Sequence, residues 1–188
     1  MEKQLKWRDL MKKILAIIIA LTSLFLTACD DTVNSDEAMP KNTIKADNEA
    51  VDYYFYYPKT WELDRNDGMI SIRYNTSTNS TTQKYASISV SSYTTDKLAN
   101  DYWQDYADDI SKTFHEYELL KEEETKLDEV VATRKEYTGK LSDVKYKFAQ
   151  VICVRKGTVY LLTLTAAEED FDTTVIDFGK VVSEFHFK

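Results

Sequence analysis

The chain is short of cysteine, histidine, long hydrophobic runs and positive charge, and each shortage narrows what it can be. Two cysteines, Cys29 and Cys153, stand in 188 residues. They are too few for a disulfide scaffold, so a hydrophobic core must supply the stability. Two histidines, His115 and His186, lie far apart in sequence. Neither has a second histidine or a cysteine beside it, so no metal-binding set and no cofactor is expected, and surface or capping roles are favoured for both. The formal net charge is −8. An acidic exterior repels phosphate backbones, which argues against nucleic acid as a partner.

The longest uncharged run, Ile14 to Leu26, is too short to cross a bilayer, which takes about 20 apolar residues. It does match the core of a secretory signal, about 7 to 15 apolar residues after a basic flank, here Lys12-Lys13. The run ends in Leu26-Thr27-Ala28-Cys29, which resembles the lipobox of bacterial lipoproteins: an aliphatic residue, two small ones, then cysteine. The resemblance implies a signal peptide over 1–28, cleavage between Ala28 and Cys29, and diacylglyceryl attachment at Cys29. Two acyl chains of the palmitate kind give stable anchoring where one is marginal. Met11-Lys12-Lys13 would itself make a normal start to such a signal, so translation from Met11 is a further expectation. Removing 1–28 takes away five basic and two acidic residues, leaving −11.

The stretch 29–50 is dominated by Asp, Asn, Ser, Lys and Glu. It lacks the apolar surface needed to order itself and reads as a lipidated cysteine followed by a flexible tether. A folded domain is expected over 51–188. It opens on the aromatic strand Val51 to Tyr57, stopped by Pro58, with Trp61 at a turn. Asp64 to Gly68 reads as a plain turn: as a calcium loop its glycine is one position early and the closing glutamate is missing. Met69 to Tyr74 and Lys84 to Tyr93 alternate like half-buried strands, separated by a polar loop.

From Thr95 the period becomes helical, with Leu98, Tyr102, Tyr106, Ile110 and Phe114 on one stripe broadened by Ala99, Trp103 and Ala107, and Thr95 as N-cap. Asp101, Asp105, Asp108 and Asp109 read as a solvated face. Three strands follow, Glu116–Leu127, Val130–Thr138 and Val144–Val154, divided by Asp128-Glu129 and Gly139-Lys140-Leu141; short turns imply an antiparallel meander. Cys153 falls in the last, as a buried inert thiol. Val159 to Thr165 reads as a central strand, Phe171, Val175, Phe178 and Val182 as a second helix, and Phe185-His186-Phe187 as a terminal strand on which His186 faces away from its neighbours, toward solvent. This order predicts an α+β domain, a mostly antiparallel sheet packed with helices.

The same order resembles the PsbP-like family. Tyr57-Pro58 with Trp61, the turn and strand through Gly68 to Tyr74, the helix from Asp96, the turn and strand Lys156 to Leu161, and the closing Phe178 to Phe187 carry the likeness. The resemblance implies a non-catalytic binding or assembly role at a membrane complex.

The chemistry-bearing strings point the same way. Ser142-Asp143-Val144-Lys145 fits a Ser-x-x-Lys pattern but precedes a strand, whereas that chemistry needs a helix. Five aromatics in seven residues must put some on each face of a strand, so Tyr54, Tyr56 and Trp61 are the candidate binding residues, toward an envelope protein, peptide or glycan. The expected function is a lipid-anchored binding or assembly module on the extracytoplasmic face of the cell membrane. The alternatives are a cell-envelope hydrolase or metal-dependent enzyme using His115 or His186, or a small-solute receptor.

Overall fold

The structure is a computed structural model and describes residues 39–66, 69–77 and 84–188. Residues 1–38, which include the expected signal segment, Cys29 and the start of the expected tether, lie outside the described residues. Among the described residues ten strands and two α-helices follow one another. They are β1 Thr43–Asp47, β2 Tyr53–Pro58, β3 Glu62–Asn66, β4 Met69–Asn75, β5 Tyr85–Thr94, α1 Ala99–Thr113, β6 His115–Leu127, β7 Val130–Leu141, β8 Val144–Arg155, β9 Thr158–Ala167, α2 Phe171–Ser183 and β10 Phe185–Phe187. A 3-10 turn, Glu168–Asp170, leads into α2. Two antiparallel sheets result, one of seven strands in the order β3-β4-β5-β9-β8-β7-β6 and one of three in the order β1-β2-β10.

Alternation along β8 and β9 decides what must cover the large sheet. Phe148 and Ile152 of β8 join Val159 and Leu161 of β9 under Trp103 and Ile110 of α1. Their neighbours Ala149, Val151, Cys153, Tyr160, Leu162 and Leu164 share the opposite core with Phe171, Phe178 and Val181 of α2. Strands apolar on both sides need cover on both sides, so α1 takes one face and α2 with the small sheet takes the other. The dense run in β9 accordingly sits at mid-sheet, between β5 and β8.

Aromatic rings fasten the small sheet to the large one. Tyr53 stacks on Phe185 at 5.3 Å and meets Tyr160 edge-on at 6.2 Å, while Phe187 lies 4.8 Å from Tyr160. A polar tie reinforces them, Tyr160 Oη donating to Asp52 at 2.6 Å, while within the small sheet the Lys188 ammonium reaches Asp47 at 2.7 Å and the Val51 carbonyl at 3.0 Å. Lys188, then Lys45, hold the Asp47 carboxyl below the ordinary carboxylate range.

Four local expectations are corrected. The expected tether over 29–50 does not extend through its last part, because Thr43–Asp47 pairs with β2 and buries Ala46 completely. One buried methyl in a polar stretch leaves almost no apolar period to read. Asp64–Asn66 belong to β3 rather than to a turn. Helix α1 begins at Ala99 with Leu98 at the cap and no side-chain capping bond; Thr95 instead accepts the Lys97 N–H in a local turn. Leu98 is 73 % exposed, so the buried stripe centres on Trp103 and Ile110.

The fourth correction has a steric cause. Gly139 is not in a turn; it lies within β7, and the reversal falls at Ser142-Asp143, with Ser142 at φ 55°. The glycine is needed because Phe114, just past α1, rests on it: a Cβ there would stand 2.6 Å from Phe114 Cβ. Gly139→Ala should therefore cost about 1–3 kcal/mol through overpacking, measured by urea unfolding. Adding Phe114→Ala should make the two changes less than additive, since the second removes the clash.

Candidate functional site

Parity along β2 sends Tyr53, Phe55 and Tyr57 inward to the core and leaves Tyr54 and Tyr56 on the outer face of the small sheet. Register then brings β10 alongside: His186 is opposite Tyr54, and Lys45 of β1 is opposite Tyr56. The His186 ring stacks on Tyr54 at 5.0 Å and meets Tyr56 edge-on at 6.4 Å, and the two tyrosines meet edge-on at 6.0 Å. The Lys45 ammonium sits 4.0 Å over the Tyr54 ring while pairing with Asp47 at 2.9 Å. On the far side His186 Nδ1 is 3.7 Å from the Asp128 carboxylate. Asp128 also accepts the Phe187 N–H at 2.8 Å, which ties the β6–β7 turn to β10.

This arrangement gathers three rings, one cation and two carboxylates. Tyr54 and His186 are half-buried and Tyr56 is 8 % exposed. A partner would meet the edges of Tyr54 and His186 first, with Tyr56 as a fixed backing. Such a surface offers stacking and hydrogen bonding without an activated nucleophile. His186 was expected to face solvent; it does face away from Phe185 and Phe187, but Tyr54 covers it. No periodicity within a three-residue strand could announce a cross-strand ring.

The third candidate, Trp61, is not on this surface. It is 2 % exposed, tilts against Tyr74 at 5.6 Å and donates from Nε1 to Asp177 of α2 at 2.9 Å. It pins α2 to the turn after β2, and so packs rather than binds. Trp103 is likewise buried, with the Lys135 ammonium 4.8 Å over its ring. That lysine is 2 % exposed and pairs with Glu122 at 2.7 Å.

The two histidines do not converge. His115 is exposed at the start of β6 in the large sheet, whereas His186 is in the small one. Among the described residues no group of three His, Cys, Asp or Glu could hold a metal ion. Lys145, beside the β7–β8 turn, lines a groove of about 690 Å³ with Lys84, Tyr146, Glu168 and Glu169. Its cations are matched across the groove, Lys84 to Glu169 at 2.5 Å and Lys145 to Glu168 at 2.8 Å. Ser142 and Lys145 flank a strand reversal rather than sharing a helical turn.

No family model and no curated protein matches the sequence. Solved structures do match the fold. The cyanobacterial PsbP, CyanoP, from Synechocystis sp. PCC 6803 superposes with a TM-score of 0.56 at 21 % identity over 78 % of this chain and 93 % of its own. LpqN of Mycobacterium tuberculosis, involved in cell envelope biogenesis, gives 0.55 at 13 % identity, covering 79 % and 87 %. A protein of unknown function from Pseudomonas aeruginosa, PA94, gives 0.51 at 14 % identity, covering 73 % and 92 %. The chain has an α+β, PsbP-like fold.

Burial sets the pH range over which this fold holds. It pushes the Cys153 thiol up to about 11 and the Tyr53 and Tyr160 hydroxyls to about 12. All three are neutral in the fold and ionise more readily once unfolded. Their contribution is complete below the unfolded values of about 9 to 10 and is lost as pH rises through the folded ones. Urea midpoints should hold near pH 8 and fall steadily above about pH 9, and Cys153 should resist thiol reagents until the chain unfolds.

Proposed function

We propose that this chain is a lipid-anchored, extracytoplasmic module that binds or assembles an envelope partner and performs no catalysis. The outer face of the small sheet carries the reading, because it holds Tyr54, Tyr56, His186 and Lys45 together at a partly open surface. The place of that sheet in the chain supports it. β1, the first described strand, belongs to the small sheet, and 14 residues from Cys29 to Thr43 reach at most about 50 Å when fully extended. A thioether-linked anchor on Cys29 would therefore hold the folded domain within about 50 Å of the membrane surface. Among the described residues no helix is long and apolar enough to cross a membrane, and the proposed attachment is the lipid. The kinship of fold with LpqN, a protein of envelope biogenesis, fits the same location.

Two measurements test the two halves separately. Cys29→Ser should move the protein from the membrane fraction to the soluble one; retention in the membrane would remove the anchor. Tyr54→Ala should lower recovery of the cross-linked membrane partner by about 2 kcal/mol of affinity, roughly thirtyfold, with an unchanged melting temperature. Full recovery would remove the aromatic face from the proposal.

A further inference from the structure

Cover of the large sheet by α1 runs out at one end. Along β7 the residues on the helix side are Val131, Thr133, Lys135 and Tyr137, and register sets Lys126, Glu124 and Glu122 of β6 opposite the first three. Trp103, in the second turn of α1, lies against Tyr137 and under it holds the Lys135 ammonium. The helix continues from there toward Phe114, which rests on Gly139. Val131 therefore lies past the first turn of α1, beyond the helix that covers Lys135 and Tyr137.

A groove of about 530 Å³ opens at that place, between the first turn of α1 and the β6–β7 hairpin. Leu98, at the helix cap, and Val131 both line it; at 73 % and 64 % they are the two most exposed large apolar side chains among the described residues. Single apolar residues scattered on a surface are ordinary. Two in one concavity make a place where an apolar group gains by leaving water.

The rim of the groove is acidic. Asp101 of α1 and Glu122, Glu123 and Glu124 of β6 line it, and among the described residues no lysine or arginine does. Glu122 pairs with Lys135 at 2.7 Å, and Glu123 with Lys121 at 2.8 Å. The cations closest in sequence are engaged elsewhere, Lys126 by Glu129 and Lys97 by Asp105. Asp101 and Glu124 form no ion pair among the described residues, so two carboxylates stand uncompensated. The helix adds donors: its first backbone bond runs from the Tyr102 N–H to the Leu98 carbonyl, and no side chain caps the turn. The Ala99, Asn100 and Asp101 amides precede that bond and are open to an outside acceptor.

We propose that this groove docks an extended polypeptide segment of a partner protein, one carrying an aliphatic side chain between lysines or arginines. The aliphatic group buries against Leu98 and Val131, the cations meet Asp101 and Glu124, and the α1 amides take the segment's carbonyl oxygens. An acidic or purely polar segment forfeits one of these attractions. β6 is the outermost strand of its sheet, so the groove is open at the edge and a long chain crosses it without threading. An anionic lipid surface is repelled by the same carboxylates, and a second copy of this chain, at formal charge −8, brings more of them.

The test titrates the full chain into fluorescein-labelled synthetic peptides and reads anisotropy. One peptide carries Lys-Leu-Lys within a Gly-Ser sequence, and two others carry Lys-Ser-Lys or Glu-Leu-Glu in its place. The first is expected to bind, less tightly as salt rises, and the other two to bind weaker by about tenfold or more. Leu98→Ser and Glu124→Lys should each weaken binding of the first by about tenfold. Ile176→Ser, which alters a comparably exposed apolar side chain on α2, should leave it unchanged; melting temperatures confirm that the variants fold. No binding of the Lys-Leu-Lys peptide, equal binding of either counterpart, or binding that survives both substitutions overturns the proposal. So does a dimer in sedimentation that Leu98→Ser dissolves, since a second copy would then fill the groove. None of these readings passes through Tyr54 or Cys29, so they stand apart from recovery of a membrane partner.

Discussion

Burial of β8 and β9 on both faces is the constraint from which the rest of the structure follows. An apolar strand with two covered sides cannot be satisfied by one helix, and the chain answers with α1 on one side and a combined layer of α2 and the small sheet on the other. Within that second layer the aliphatic core is joined by rings, with Tyr53 against Phe185 and Tyr160, and Phe187 against Phe185 and Tyr160. Aromatic pairs add a geometric preference to their area. The small sheet is thereby fixed in register and angle, and the outward positions of β2 are fixed with it.

The aromatic face is a by-product of that solution. A strand that sends Tyr53, Phe55 and Tyr57 inward must present Tyr54 and Tyr56 outward. A seven-stranded sheet with one helix over its β6–β8 half leaves its other half to be finished by the side chains of β4 and β5. There the chain has placed serines, whose small size keeps the surface low and whose hydroxyls keep it polar.

Long-period patterns were legible in the sequence and single contacts were not. The strand meander from β6 to β9, the two helical stripes and the mid-sheet position of β9 follow from alternation and hydrophobic spacing, which survive tertiary packing. β1 was missed because only Ala46 is buried within it. Gly139 resembled a turn residue because nothing local shows that Phe114, 25 positions earlier, needs the space above it. Trp61 resembled a surface aromatic because its partner Asp177 is 116 positions away. His186 fits the same description: its facing could be read from β10, but the Tyr54 ring that covers it arrives from the other end of the fold.

The small sheet is built from β1, β2 and β10, the last about 130 positions beyond the others in sequence. While the chain is being synthesised, the β2 aromatics wait without this neighbour until Phe185 to Phe187 have been made. Pairing across such a separation is slow to find, and an unpaired aromatic strand is sticky. Loss of Phe185 to Phe187 would leave that edge open for good, which would turn a truncated copy into a target for proteases rather than a partly working protein.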